Sequence, residues 1–336
     1  DKSPVNHLGE IETTNPCGEQ PLLPYESCNL GSINLFKCVK NGRGRSKPHV
    51  DWEKLEYLIR LAVRFLDDVI DVCSYPLEEI DKMTRKTRKI GLGVMGFADM
   101  LVRLKVPYAS SEGRKIGEKI SKYLQNIARD ESRKLGEERG SFPAFGGSLW
   151  EKEGFKAMRN STVNTVAPTG TISIIANCSS GIEPLFALSY IRKNILDVNN
   201  TELIEVNDLF EKIARQKKFY SKELMRQISE TGGIDGLPGV PKDIKEIYKV
   251  SHEIDFEAHI KMQAAWQKHI DAAVSKTINM PNSATPDDVR DAYELAYELG
   301  CKGVTVYRDG SKNRQVLNVG SSSLTSKPLA DDKRKW

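Results

Sequence analysis

No stretch of the chain approaches the roughly 20 uninterrupted apolar residues that a membrane span needs. The opening Asp1-Lys2-Ser3-Pro4 lacks the apolar core of a signal peptide. The cysteines at 17, 28, 38, 73, 178 and 301 never fall into a C-x-x-C pair, which excludes a recognisable zinc or iron–sulfur framework. His252, His259 and His269 form no H-E-x-x-H or other compact ligand set, so they read as surface or packing residues and no metal site is expected. Charge of neither sign dominates: Lys+Arg 50 against Asp+Glu 46 leaves +4, spread along the chain apart from short runs at Lys82–Lys89 and Lys333–Lys335. Such a balance argues against a duplex-DNA footprint. The expectation is a cytoplasmic protein with neither a nucleic-acid nor a membrane partner, in a reducing compartment where Cys38, Cys73, Cys178 and Cys301 are buried thiols.

What is present is ample core: 336 residues, 39% hydrophobic and 29% charged, enough for one large domain or two ordinary ones. Apolar positions Leu55, Leu58, Ile59, Ala62, Phe65, Leu66, Val69 and Ile70 recur at three and four, predicting a helix over Trp52–Val72 with Asp51 as its cap. A second helix is predicted over Ser111–Arg139, ending at Gly140. A β-branched run at Ser161–Val166, a Thr/Ser/Gly-rich turn and an apolar segment, Ile172–Ala176, come next. Helical periodicity returns at Glu202–Arg215, Phe256–Ala273 and Pro286–Leu299, and Gly303–Tyr307 reads as a buried strand. Gly232–Pro241 is turn-rich, and Ser321–Trp336 reads as a linker or disordered tail. Helices alternating with short strands predict an α/β architecture with parallel strands.

The first chemically suggestive segment is Asn15-Pro16-Cys17-Gly18-Glu19. In an extended backbone, residues 15, 17 and 19 point to one side, where one substrate could meet an amide, a sulfur and a carboxylate. Pro16 stiffens that backbone, and Gly18 allows a close approach. A carboxylate beside a thiol raises the thiol pKa, which disfavours thiolate chemistry at Cys17. A thiol that loses a hydrogen atom needs no lowered pKa, and Glu19 could then act as base toward a substrate hydroxyl. On this motif alone, a turn-rich loop with a buried cysteine is the more frequent reading.

Asn15 to Leu22, followed by Tyr25-Glu26-Ser27-Cys28-Asn29-Leu30-Gly31-Ser32-Ile33-Asn34-Leu35, resembles the active-site stretch of ribonucleotide reductase large chains, nearest to the adenosylcobalamin-dependent class II. The resemblance implies the carboxyl-terminal portion of a ten-stranded α/β barrel, residues 1–317, ahead of a tail at 318–336. It implies that Cys17 becomes a thiyl radical abstracting the ribose 3′ hydrogen, that Glu19 takes the 3′-hydroxyl proton, and that Asn15 hydrogen-bonds the sugar hydroxyls. Cys28 would be one half of the redox pair that reduces the 2′ carbon. Its partner in the family lies well before the loop, and no cysteine precedes Cys17.

Ala167-Pro168-Thr169-Gly170-Thr171-Ile172-Ser173 offers three hydroxyls and a flexible glycine in a turn able to aim backbone N–H groups at an anion. It is not a Walker loop, since no Gly-Lys-Ser/Thr follows, and by itself it is more often a plain capped turn. With Asn177-Cys178-Ser179-Ser180-Gly181-Ile182-Glu183-Pro184 it again resembles the reductases, where Pro168–Ile172 with Ser173 would hold substrate phosphates. Gly91-Leu92-Gly93-Val94-Met95-Gly96 matches the dinucleotide fingerprint, but charged Lys82–Lys89 stands where a buried strand should precede it. The reductases carry this stretch as a structural element. Near the end, Tyr307 is followed by Arg308 where class I enzymes carry adjacent tyrosines, which favours a radical generated locally with adenosylcobalamin over a tyrosine relay.

The implied activity is reduction of ribonucleotides to deoxyribonucleotides. The substrate would be a ribonucleotide and the reductant a thioredoxin-like protein or dithiol. The effector region, the first barrel strands and a terminal cysteine pair are missing, so an amino-terminal half in trans, a homodimer or both are expected. The alternatives are a truncated remnant that binds nucleotide phosphate, or a class I-type large-chain fragment.

Overall fold

The computed structural model describes residues 2–42, 46–193 and 202–311. The domain boundary at 317 and the tail at Ser321–Trp336 lie outside the described residues. The described residues divide into two compact units, 2–184 with Ile254–Asp309, and Leu185–Glu253 with Gly310 and Ser311.

In the first unit, β1 (Thr13–Thr14) and β2 (Pro21–Leu22) form a short antiparallel hairpin, followed by β3 (Asn29–Asn34). Next come β4 (Val39–Lys40), β5 (His49–Val50), α1 (Trp52–Val72), α2 (Glu78–Thr87) and β6 (Ile90–Met95). Then follow α3 (Phe97–Leu104), α4 (Ser111–Arg139), α5 (Leu149–Lys152) and α6 (Gly170–Ile175). The second unit carries β7 (Ser189–Lys193), β8 (Glu202–Val206), α7 (Asp208–Gln216), α8 (Lys222–Thr231) and α9 (Lys242–Ile247). The chain returns to the first unit with α10 (Phe256–Gln267), β9 (Thr277–Met280), α11 (Pro286–Glu298) and β10 (Thr305–Arg308).

The predicted parallel architecture is present. β3 pairs in parallel with β6 from Asn29↔Ile90 to Asn34↔Met95, and β9 with β10 from Thr277↔Thr305 to Met280↔Arg308. Between them, parallel bridges Leu92↔Asn164 and Val166↔Val274 place the extended segments 162–166 and 272–275 side by side. The β-branched run expected at Ser161–Val166 is therefore an inner track, and all six of its residues are buried.

Glycine makes the close packing of these tracks possible. β6 is buried at every residue, and a Cβ on Gly93 would stand 2.6 Å from the Thr165 carbonyl oxygen. Gly91 and Gly93 of the fingerprint-like run therefore serve strand packing. Around this array, α1 lays Leu55, Ile59, Val63, Leu66 and Ile70 into the core, with Asp51 accepting the Lys54 N–H at 3.2 Å as the predicted cap. Ser110 caps α4 at its Gly113 N–H, and the predicted stop at Gly140 holds.

Three expectations are corrected. Glu202–Val206 is a strand, not the start of a helix: it pairs antiparallel with β7, and Asn207 starts α7 by accepting from the Leu209 and Phe210 N–H groups. α10 stops at Gln267 and does not reach Ala273, because Asp271 and Ala272 donate their N–H groups to Asn164 and Ala273 donates to Glu19. Cys73 is exposed, as the residue closing α1, while Cys178 and Cys301 are half-buried and only Cys38 is fully buried.

Replacing Gly93 with Ala should force β6 off the Thr165 track and cost about 1–3 kcal/mol. The denaturant midpoint should fall accordingly, and an unchanged midpoint would show that the tracks can separate without penalty.

Candidate active site

Thr13–Leu22 folds as a tight hairpin. The Asn15 N–H donates to the Gln20 carbonyl at 3.2 Å, Gly18 N–H to the Asn15 carbonyl at 3.0 Å, and Gln20 N–H to Asn15 Oδ1 at 3.0 Å. The loop is thus a turn, not the extended segment that the i, i+2, i+4 argument assumed, since these local bonds outweigh extension. Gly18 has φ +79° and nothing within 4 Å of a built Cβ, so its task is the left-handed backbone and not a close approach.

The turn separates its side chains by burial. Pro16 and Cys17 are exposed, Asn15 and Gly18 are half-buried, and Glu19 is 2% exposed. Asn15 uses its Oδ1 inside the turn and keeps the Nδ2 donors for another partner. Glu19 Oε2 is buried without a hydrogen-bond partner among the described residues, a costly state for a carboxylate oxygen unless something else meets it. The Cys17 thiol pKa is raised, first by desolvation and second by the Glu19 charge, so the sulfur keeps its proton at neutral pH.

The turn is clasped from behind. The Glu19 carbonyl accepts from Ala273 N–H at 2.9 Å and from Thr165 Oγ1 at 3.0 Å. The next segment is held by a buried ion pair, Lys89 Nζ to Glu26 Oε2 at 2.8 Å, with Lys89 also donating to the Pro21 carbonyl at 2.9 Å. Removing one partner of such a pair leaves an uncompensated buried charge. Cys28, just before β3, donates its thiol to the Asn29 carbonyl at 3.5 Å. Burial pushes its pKa far up, with Lys89 opposing and Glu26 and Glu19 adding. Among the described residues every cysteine is an unpaired thiol.

Thr165 leads within three residues to the predicted phosphate turn. Pro168 is half-buried, Thr169 is buried at φ 57°, and Gly170, Thr171 and Ile172 are exposed at the start of α6. Of the three hydroxyls, Thr169 Oγ1 accepts from Gly181 N–H at 2.7 Å, and Ser173 Oγ meets Ser180 Oγ at 2.8 Å. Thr171 is the hydroxyl that the loop does not use, beside first-turn amides that have no intrahelical acceptor. The returning segment is pinned by Asp99, whose carboxylate accepts the Ser179 N–H at 2.5 Å. The sequence reading brought out the loop and the turn but missed Thr165, Ala273, Lys89 and Asp99. The available signal was Asn164-Thr165, polar residues inside an otherwise apolar run.

His259 is no simple packing residue. It is fully buried with Nδ1 2.9 Å from Lys276 Nζ, and Lys276 bonds Glu183 at 2.5 Å. Burial lowers the Lys276 pKa against the opposing Glu183 charge. This cluster ties the end of the returning segment, Glu183, to the start of β9.

Replacing Glu19 with Gln removes one cause of the raised Cys17 pKa, so the thiolate fraction at pH 8 should grow. Alkylation of Cys17 by iodoacetamide, followed by peptide mass spectrometry with exposed Cys73 as internal reference, should accelerate over the wild-type rate. An unchanged or slower rate would show that Glu19 does not act electrostatically on the sulfur.

The model of the ribonucleotide reductase barrel domain matches residues 1–157 and 152–307. A vitamin B12-dependent ribonucleoside-diphosphate reductase of Thermoplasma acidophilum is 54% identical over 97% of this chain and 41% of its own length. One of Mycobacterium tuberculosis, with the same description, is 48% identical over 97% of this chain and 45% of its own. The chain therefore spans less than half the length of these curated relatives. In fold it is similar to the Actinobacillus ureae class Id ribonucleotide reductase alpha subunit, at TM-score 0.74 and 23% identity, over 89% of this chain and 54% of that one. With the parallel tracks, the clasped cysteine turn and a family match across most of its length, the chain belongs to the ribonucleotide reductase barrel-domain family.

Proposed function

We propose that this chain is the part of a ribonucleotide reductase that reduces ribonucleotides to deoxyribonucleotides for DNA synthesis, with Cys17 as the radical-bearing thiol. The observation that carries the reading is the pairing, on one clasped turn, of an exposed thiol held protonated and a buried carboxylate whose Oε2 has no partner among the described residues. An intact S–H bond is what hydrogen-atom transfer requires, and ionic thiolate chemistry is disfavoured at this sulfur. When bound, adenosylcobalamin would supply the radical equivalent, and Cys17 is the thiol of this chain that would give up its hydrogen atom. The donor chemistry fits that group: Cys17 is exposed for its approach, and the exposed Ile172, Ile174 and Ile175 of α6 offer an apolar face for a large ring.

In this reading Cys17 takes the ribose 3′ hydrogen and returns it to the 3′ carbon at the end, Glu19 Oε2 accepts the 3′-hydroxyl proton and gives it back, and Asn15 Nδ2 donates to the sugar hydroxyls. Residues Asn15 to Glu19 line the ribose. The phosphates rest on Pro168, Thr169, Gly170, Thr171, Ile172 and Ser173, with the Thr171 hydroxyl and the first amides of α6 as donors. Cys28 and a second thiol each give up a hydrogen, the 2′ C–O bond breaks, water leaves and a disulfide forms. That second thiol comes from the amino-terminal half of the reductase, in the same polypeptide or in trans. A thioredoxin-like protein or dithiol restores the pair, in the cytoplasm, and the working assembly joins this chain to an amino-terminal half, to a second copy, or to both. Dependence on cobalamin is supported by the descriptions of the relatives and by Arg308, which follows Tyr307 and spends its Nε on the Ala284 carbonyl at 3.0 Å.

In the full reductase with adenosylcobalamin and ribonucleotide, a cob(II)alamin electron paramagnetic resonance signal and deoxyribonucleotide should both form. Cys17→Ser should abolish the product. Substantial residual reduction by that variant would sink the assignment.

A further inference from the structure

Thr165 is fully buried and lies outside both motifs that the sequence singles out. Its Oγ1 stands 3.0 Å from the Glu19 carbonyl and 3.0 Å from the Ala273 carbonyl, so its one proton is shared between them. Each acceptor already has a backbone donor: Ala273 N–H reaches the Glu19 carbonyl at 2.9 Å, and Val166 N–H reaches the Ala273 carbonyl at 3.1 Å. The hydroxyl is therefore not needed to rescue a buried carbonyl. It is an added brace where the cysteine turn, the track leading to the phosphate turn and the segment before β9 meet.

The brace is itself held stiffly. A Cβ on Gly91 would come within 2.9 Å of Thr165 Cγ2, so the methyl sits in a notch that glycine leaves open, and a β-branched side chain has little rotamer freedom to leave it. The Glu19 Oε2, by contrast, is buried with no hydrogen bond of its own among the described residues. The Glu19 backbone sets the point from which that carboxylate reaches, so a displaced carbonyl carries the side chain with it.

We propose that Thr165 is a positioning residue for Glu19: its hydroxyl fixes the Glu19 carbonyl and thereby aims the carboxylate at the ribose 3′-hydroxyl. This rests on the ribose-reduction reading above. Thr165 touches no substrate in this role and acts only through Glu19.

The test compares wild-type full-length reductase with Thr165→Val, which keeps the shape and removes the hydroxyl, and Thr165→Ser, which keeps the hydroxyl. Valine should lower kcat for deoxyribonucleotide formation by about 10- to 100-fold, the scale of a misplaced catalytic group. KM should change by less than about twofold, and serine should restore kcat to within about threefold of wild type. Thermal midpoints of the valine and wild-type proteins should agree; should valine not fold, Thr165→Ala takes its place and must fall below serine in kcat. A hydroxyl-free variant with kcat within about twofold of wild type overturns the proposal, as does a loss that serine shares or that follows the thermal midpoint. A wild-type enzyme that makes no deoxyribonucleotide would instead overturn the ribose-reduction reading, whatever residue stands at 165.

Discussion

The Glu19 carbonyl is the point on which the site depends. Two segments distant in sequence converge there, the 162–166 track through the Thr165 hydroxyl and the segment before β9 through the Ala273 amide. Both reach it because Gly91 and Gly93 in β6 leave no side chain in the way of Thr165. Close parallel packing thus sets the place of the cysteine turn, and the same track runs on into the Thr/Ser/Gly-rich turn at Pro168. The two motifs are rigidly related through one buried strand-like element, even though some 150 residues of chain lie between them.

Electrostatics then decides which chemistry the cysteines can undertake. Cys17 and Cys28 both have raised pKa values, chiefly through loss of solvation, and nearby carboxylates add to it in each case. Lys89 is the one cation that opposes this at Cys28, and it is spent on Glu26 and on the Pro21 carbonyl. A site with two protonated thiols and a buried carboxylate is suited to moving hydrogen atoms and protons, and poorly suited to nucleophilic attack.

Much of the architecture is legible along the chain because local rules speak loudly there. α1 and α4 begin at Asp51 and Ser110 caps, follow a one-sided apolar stripe, and keep their predicted ends. Legibility fails where a partner segment outbids local preference. Residues 268–273 continue the helical pattern of α10, yet Asn164, Val166 and Glu19 draw their backbone groups into extended pairing. Leu203-Ile204-Glu205-Val206 suits either a helix turn or a strand, and the ladder with Ser189–Lys193 selects the strand. The backbone of the cysteine turn differs from the extended one expected, because a spacing argument presumes a conformation that the Asn15–Gln20 bonds do not permit.

By itself the sequence determined the α/β class, the long helices, and the residue types at the loop and turn, since periodicity, capping and side-chain chemistry are local properties. Only the tertiary structure decided that Glu19 is buried while Cys17 is exposed, that Thr171 is the hydroxyl left unused in its turn, and that Thr165 braces the Glu19 backbone. Burial and hydrogen-bond partnership depend on which distant segments arrive, and in this chain the glycines of β6 decide how closely they can.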